Sequence, residues 1–253
     1  GSHVVRQLLD RGESVMLIDI QQPGLSAEHL KSHAFDIADR DQLTKILRNQ
    51  PADTAYWCID MEVQPASKAS PAEQLARNVV RLKKVLPVLA EQGVRHLVFA
   101  AATEALSAQS ETLDSLRSAV QALGLRISVV ICGNLQGGLV ACASEDEFGE
   151  HDGIFDQLLR VLLGQRLFIN ISSRSDLDIH HEMFDVADVA RILIARADAR
   201  AQSPGGHDFS LVRASGGAVL TLAEWLAVAE QVSGRAVTCR FHQQVATEPM
   251  AAI

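Results

Sequence analysis

The stretch GSHVVRQLLDRGESVMLID, running from Gly1 to Asp19, decides how the rest of the chain is read. Its first part sets Val4, Val5, Leu8 and Leu9 on one helical face, and Gly12 stands where such a helix stops. Val15 to Ile18 is then an unbroken aliphatic run of strand length, closed by the carboxylate of Asp19. A strand with no polar alternation is one covered on both faces, as in a parallel sheet.

The same alternation continues outward. Ala34 to Asp36 is a short strand candidate, Arg40 to Asn49 a helix with Leu43, Ile46 and Leu47 on one face, and Thr54 to Ile59 a strand. Glu73 to Gln92 is a long amphipathic helix closed by Gly93, Val94 to Ala101 a strand, Thr112 to Leu123 a helix closed by Gly124, and Leu125 to Cys132 a strand. Strands alternating with helices at this spacing predict βαβ units and a parallel sheet covered on both faces. Beyond them the periodicity predicts helices over 154–164, 184–199 and 221–233, and strands over 167–171 and 208–212. Thr221 with Glu224 three residues later has the capping-box pattern. A doubly wound sheet opens with a strand and a glycine-rich turn. Here the reading opens on the helix, so the first strand is expected to be missing, with Gly1 to His3 either a cleavage scar or the end of that turn.

Composition narrows the function classes. Hydrophobic residues are 47% and charged residues 21% of 253, the balance of a packed globular chain rather than a disordered one. A formal net charge of -8 argues against a nucleic-acid partner. No apolar run approaches the ~18 residues of a spanning helix, so no membrane partner is expected. Cys58, Cys132, Cys142 and Cys239 are scattered without a CxxC pair, which predicts reduced thiols, a cytoplasmic location and no metal site. The chain has a single tyrosine, Tyr56, and no lysine after Lys84.

The opening helix and strand resemble the first helix and second strand of the extended short-chain dehydrogenases/reductases, which include the NAD-dependent epimerase/dehydratase and 3β-hydroxysteroid dehydrogenase-like proteins. Further segments carry the likeness in the same order: Phe35-Asp36-Ile37, Asn78-Val79-Val80, Gly93 to Val98, Asp185 to Ala190, and Leu220 to Glu224 with Gly234-Arg235. The resemblance implies a Rossmann-like, doubly wound parallel sheet over residues 1–142. It implies a small C-terminal substrate lobe over 143–253, with segments that return to the core. It implies NAD or NADP as cofactor, a sugar nucleotide or small carbonyl compound as substrate, and a homodimer through the helices at 73–92 and 112–123.

It also names site residues. Gly1 takes the place of the last glycine of the dinucleotide turn; its alternative is a tag scar. Asp19 takes the place of the acid that binds the adenosine ribose, and Asp36 with Ile37 would flank the adenine; the alternatives are strand-ending polar residues. Thr103 would orient a substrate oxygen or merely cap a strand. Adjacent His180 and His181, read as a loop, would act as acid or base or lie on the surface. Cys132 at a strand end is a nucleophile only with a lowered pKa, and otherwise a buried apolar residue. The acidic run from Glu145 to Asp152 reads as a solvated loop bordering the pocket.

The family's chemistry uses a tyrosine activated by a lysine four residues on, and the segment from Ser107 to Arg117 holds neither. Ile59 and Asp60 stand where the family keeps small residues beside the pyrophosphate. The reading is a divergent epimerase/dehydratase-family protein in which ordinary hydride transfer is in doubt. The alternatives are a pseudoenzyme scaffold or a cofactor-free enzyme performing cyclisation, elimination or isomerisation with Asp60, Thr103, His180 or His181.

Overall fold

A computed structural model describes residues 1–21, 26–59, 71–102, 110–132, 134–136, 154–162, 164, 168–171, 173–202, 208–214 and 219–241. In chain order the elements are α1 (Ser2–Asp10), β1 (Val15–Asp19), β2 (Leu30–Ala34), α2 (Arg40–Asn49), β3 (Thr54–Trp57), α3 (Pro71–Glu91), β4 (His96–Ala102), α4 (Ser110–Ala122), β5 (Arg126–Cys132) and β6 (Asn134–Gln136). They continue with α5 (Ile154–Leu162), β7 (Ile169–Ile171), a 3-10 turn (Arg174–Asp178), β8 (His180–Asp185), α6 (Val186–Gln202), β9 (Phe209–Arg213), β10 (Val219–Thr221), α7 (Leu222–Ser233) and β11 (Cys239–Phe241). The chain divides into two units, Gly1–Gly138 with Phe184–Gly216, and Leu139–Met183 with Gly217–Ile253.

The first unit is the Rossmann-like one. β1 pairs parallel with β2, from Val15 opposite Leu30 to Asp19 opposite Ala34. β3, β4, β5 and β9 form a four-stranded parallel sheet in that order. Period-two alternation splits β4 between two cores. Leu97 and Phe99 join Leu82, Leu86, Leu116 and Ile127 of the α3–α4 side. Val98 and Ala100 join Val4, Val130, Leu193 and Ile194 of the α1–α6 side. An apolar run in sequence thus becomes a strand buried on both faces.

Two sequence expectations are corrected here. The strand expected at Ala34 to Asp36 lies earlier, at Leu30–Ala34. Its residues Lys31, Ser32 and His33 are polar because it lies at the edge of its sheet piece, so the apolar signal sits just beyond it. Phe35 N donates to Asp19 O at 2.9 Å and carries the pairing that far. His180 and His181 are not in a loop: they lie on β8 opposite Thr221 and Leu220 of antiparallel β10.

The second unit is small. β7 and β11 pair parallel, and Leu158, Val161, Ile169, Ile171, Leu222 and Leu226 form its core. α7 begins at the predicted capping box, Thr221 Oγ1 accepting from Glu224 N at 3.2 Å and Glu224 Oε2 accepting from Thr221 N at 2.7 Å. It ends on Gly234 at φ 66°, a left-handed cap that favours glycine. Among the described residues no helix is long and apolar enough to cross a membrane.

Candidate functional site

In open parallel sheets, ligands sit outside the carboxyl ends of the strands, because the helix N-termini converge there. Four of the predicted residues lie at such ends in the first unit. Asp19 terminates β1 and is exposed, its Oδ1 accepting from Gln21 N at 3.1 Å. Asp36 and Ile37 follow β2. Asp36 Oδ1 accepts from Ala38 N at 2.9 Å in a short turn that leads to the Asp39 cap of α2. The β1–β2 register brings the backbones of Asp19 and Phe35 together, so both carboxylates belong to one edge. Each is tied by a single side-chain bond into its own turn, which leaves acceptor capacity for hydroxyl or amino groups.

Gly1 begins α1, beside Cys58 just past the end of β3. A Cβ on Gly1 would meet the Cys58 Cβ at 3.9 Å, an ordinary contact, so packing does not itself require glycine there. The first turn of α1 holds no acidic residue, and its N–H groups carry the positive end of the helix dipole.

A second feature of this edge escaped the sequence reading. Asn78, on the buried face of α3, accepts from the indole Nε1 of Trp57 at 2.7 Å and donates to the carbonyl of Ile59 at 2.6 Å. One side chain thereby fixes the end of β3 on both sides of Cys58. The signal in the sequence was a polar residue on an otherwise apolar helix face, with an indole donor available nearby.

Thr103, Asp60 and the acidic run from Glu145 to Asp152 lie outside the described residues. His180 belongs to the second unit and is exposed, and His181 follows it on β8 in the same unit. Hydrogen bonds from the Thr221 backbone and hydroxyl, reinforced by nearby His180, hold the Glu224 carboxyl below its usual range.

Tyr56 lies on β3 against the α1–α6 core. Burial, then the charge of Asp198, pushes its hydroxyl up to about 12. A catalytic tyrosine of this family needs the opposite shift. Arg11 and Asp198 clasp the outer side of that core, Nη1 to Oδ2 at 2.9 Å and Nη2 to Oδ1 at 3.2 Å. Cys132 is fully buried, and burial drives its thiol to about 12, so it is apolar packing rather than a nucleophile.

Comparison with known proteins places these observations. The sequence model described as "NAD dependent epimerase/dehydratase family" matches residues 1–117. A UDP-glucose 4-epimerase of Streptococcus mutans is 30% identical over 104 residues, which span 39% of this chain and 31% of that protein. A UDP-glucose 4-epimerase of Lactobacillus helveticus is 28% identical over 102 residues, again 39% of this chain and 31% of that protein. The matched stretch therefore covers less than a third of each of these relatives. Among solved structures, UDP-glucose 4-epimerase from Brucella ovis in complex with NAD superposes with a TM-score of 0.74 at 16% identity, covering 98% of this chain and 84% of that one. The enzyme from Stenotrophomonas maltophila, with bound NAD and formylated UDP-arabinopyranose, gives 0.74 at 16%, covering 96% and 82%. The structural likeness carries the Rossmann-like fold, and with the ordered motifs and the family match it places residues 1–117 in the NAD-dependent epimerase/dehydratase family of the extended short-chain dehydrogenases/reductases.

Proposed function

We propose that this chain is an NAD-binding protein of the sugar-nucleotide epimerase type whose tyrosine–lysine route of hydride transfer has been lost. One observation supports the cofactor half above all: Asp19 and Asp36 stand at the ends of two parallel strands that pair in register. In this reading Asp19 accepts from the adenosine ribose, Asp36 and Ile37 border the adenine, and the N-terminus of α1 at Gly1 faces the pyrophosphate. When bound, NAD supplies a hydride acceptor. The residues fit the adenosine end better than the reacting end, since the one tyrosine of the chain is on β3 with a raised pKa.

The reading includes a further parallel strand between β1 and β3, because each of these has one edge that no described strand pairs. It also includes a homodimer through α3 and α4. The Tyr56 placement favours a second reading, in which the fold is retained without redox chemistry. Its occupant is then a small molecule turned over without a redox step, or bound without turnover.

The test is titration with NAD(H) and NADP(H), followed by nicotinamide fluorescence, on this chain and on one carrying added residues before Gly1. Saturable binding that Asp19→Ala weakens about tenfold or more is expected, the scale of losing a charge-assisted hydrogen bond. No binding by either chain sinks the cofactor reading and leaves the second.

A further inference from the structure

The two pieces of parallel sheet in the first unit end in different chemistry. β1 closes on Asp19 with Ile20 next, and β2 runs through Phe35 into Asp36 and Ile37. Each strand is thus followed by a carboxylate with an isoleucine beside it, and both carboxylates are exposed. Ile20 leaves 73% of its surface to solvent, and Ile37 lies half-buried against the α3–α4 core. The β1–β2 register, carried on by the Phe35 amide to Asp19 O at 2.9 Å, holds the two Asp-Ile steps at one edge. A carboxylate accepts hydrogen bonds and donates none. It suits the hydroxyls of a ribose or a ring amine and repels a phosphate, while an exposed isoleucine beside it suits the face of a base. The edge matches the uncharged, nucleoside part of a nucleotide.

The four-stranded piece ends in the opposite way. β3 closes on Trp57 with Cys58 next, β4 passes through Ala100 and Ala101 near its end, and β5 closes on Ile131 and Cys132. Trp57, Ala100, Ala101, Ile131 and Cys132 are all buried. The indole donor of Trp57 is spent on Asn78. Burial pushes the Cys132 thiol up to about 12, and Tyr56 lies against the α1–α6 core with its hydroxyl likewise pushed up to about 12. The described side chains at these three strand ends, Cys58, Ala101 and Cys132, present no charge and no free hydroxyl or amide to a ligand. A dinucleotide that starts at the β1–β2 edge crosses these ends with its second half.

We infer that the site recognises its ligand through the adenosine half alone and takes adenosine diphosphate compounds as a class, the nicotinamide adding no affinity. The inference rests on the dinucleotide reading given above and narrows it. Asp19 and Asp36 with Ile20 and Ile37 hold the nucleoside, the diphosphate lies at the N-terminus of α1, and whatever the second phosphate carries meets apolar strand ends. The site therefore does not distinguish oxidised from reduced nicotinamide, and it accepts a ligand that lacks the nicotinamide altogether.

The test is calorimetric titration of the full chain with NAD, NADH, ADP-ribose and nicotinamide mononucleotide. The first three should bind one-to-one with dissociation constants within about fivefold of one another, and the mononucleotide should not saturate at roughly a hundredfold higher concentration. Asp19→Asn keeps the shape of an exposed side chain and the oxygen that accepts from Gln21 N. Its melting temperature should therefore stay unchanged while the three affinities fall by one common factor. A spread among the three wider than about fivefold, or saturable binding of the mononucleotide, overturns the inference and leaves the dinucleotide reading in place. An Asp19→Asn loss confined to one of the three ligands does the same. Saturation by none of the four overturns both.

Discussion

Trp57 and Asn78 share a 2.7 Å hydrogen bond between β3 and α3, and the same amide donates to Ile59 O. Trp57 is 3% and Asn78 4% exposed, so water does not replace this bond once it is lost. Asn78→Leu should leave the indole N–H and the Ile59 carbonyl unsatisfied, at a cost of about 2–4 kcal/mol. Trp57→Phe in the same background should recover part of that loss by removing the orphaned donor. Urea unfolding of both variants decides it. A loss below about 0.5 kcal/mol for Asn78→Leu would mean the clamp has no energetic role.

Tyr56 predicts an alkaline limit. Its folded-state pKa, about 12, lies above the ordinary value of 10.0, so folding favours the protonated phenol. That contribution is complete below pH 10.0 and is lost as pH rises through about 12. Melting temperatures across this window should decline more steeply for the native chain than for Tyr56→Phe. Asp198→Asn should lower the Tyr56 pKa, and absorbance titration at the phenolate band measures that directly.

The Arg11–Asp198 pair makes a contrasting prediction. Its side chains are 42% and 46% exposed, and exposed pairs contribute at most about 1 kcal/mol. Arg11→Ala should therefore cost far less than Asn78→Leu, with the difference shrinking in high salt. A loss matching that of Asn78→Leu would contradict this ranking of the two contacts.

At the head of α7, Thr221→Ala should cost about 1 kcal/mol by removing the cap acceptor of Glu224 N. Because Glu224 is held below its usual range, the capping box stabilises above the ordinary glutamate value of 4.5 and is lost as pH falls below it. The acid limb of the stability profile should be shallower in Glu224→Gln, as read by circular dichroism melts.

The division of the sheet gives a further expectation. β1 and β2 form a two-stranded piece, and an isolated strand pair is marginally stable. Amides of Val15–Asp19 should exchange faster than those of the doubly buried β5, and saturating NAD should slow the former selectively if Asp19 holds it. Equal protection without ligand would show that the two sheet pieces open together.

Periodicity made the inner strands β4 and β5 legible, since Val98, Phe99, Val129 and Val130 are buried on both faces and must all be apolar. The same physics hid β2, an edge strand whose Lys31 and Ser32 need not be. It also hid the strand at His180, where a three-residue antiparallel pairing to β10 leaves no apolar repeat. Asp19 and Asp36 were legible because a carboxylate after a buried strand stands out. Asn78 was visible only as a motif letter, since its role depends on Trp57 and Ile59 meeting it across a helix–strand contact.

The β5–β9 pairing has a consequence for biosynthesis. β9 lies beside β5 in space, Ile127 opposite Phe209, yet the whole of Leu139–Met183 is translated between them. The ribosome must therefore deliver a segment of the other unit before the four-stranded sheet acquires its last strand. At roughly 5–20 residues per second, β5 waits for seconds with one strand edge open. That interval is when a nascent-chain binder would find it, and a circular permutant that begins at β9 would deliver β9 before β5 and remove the wait.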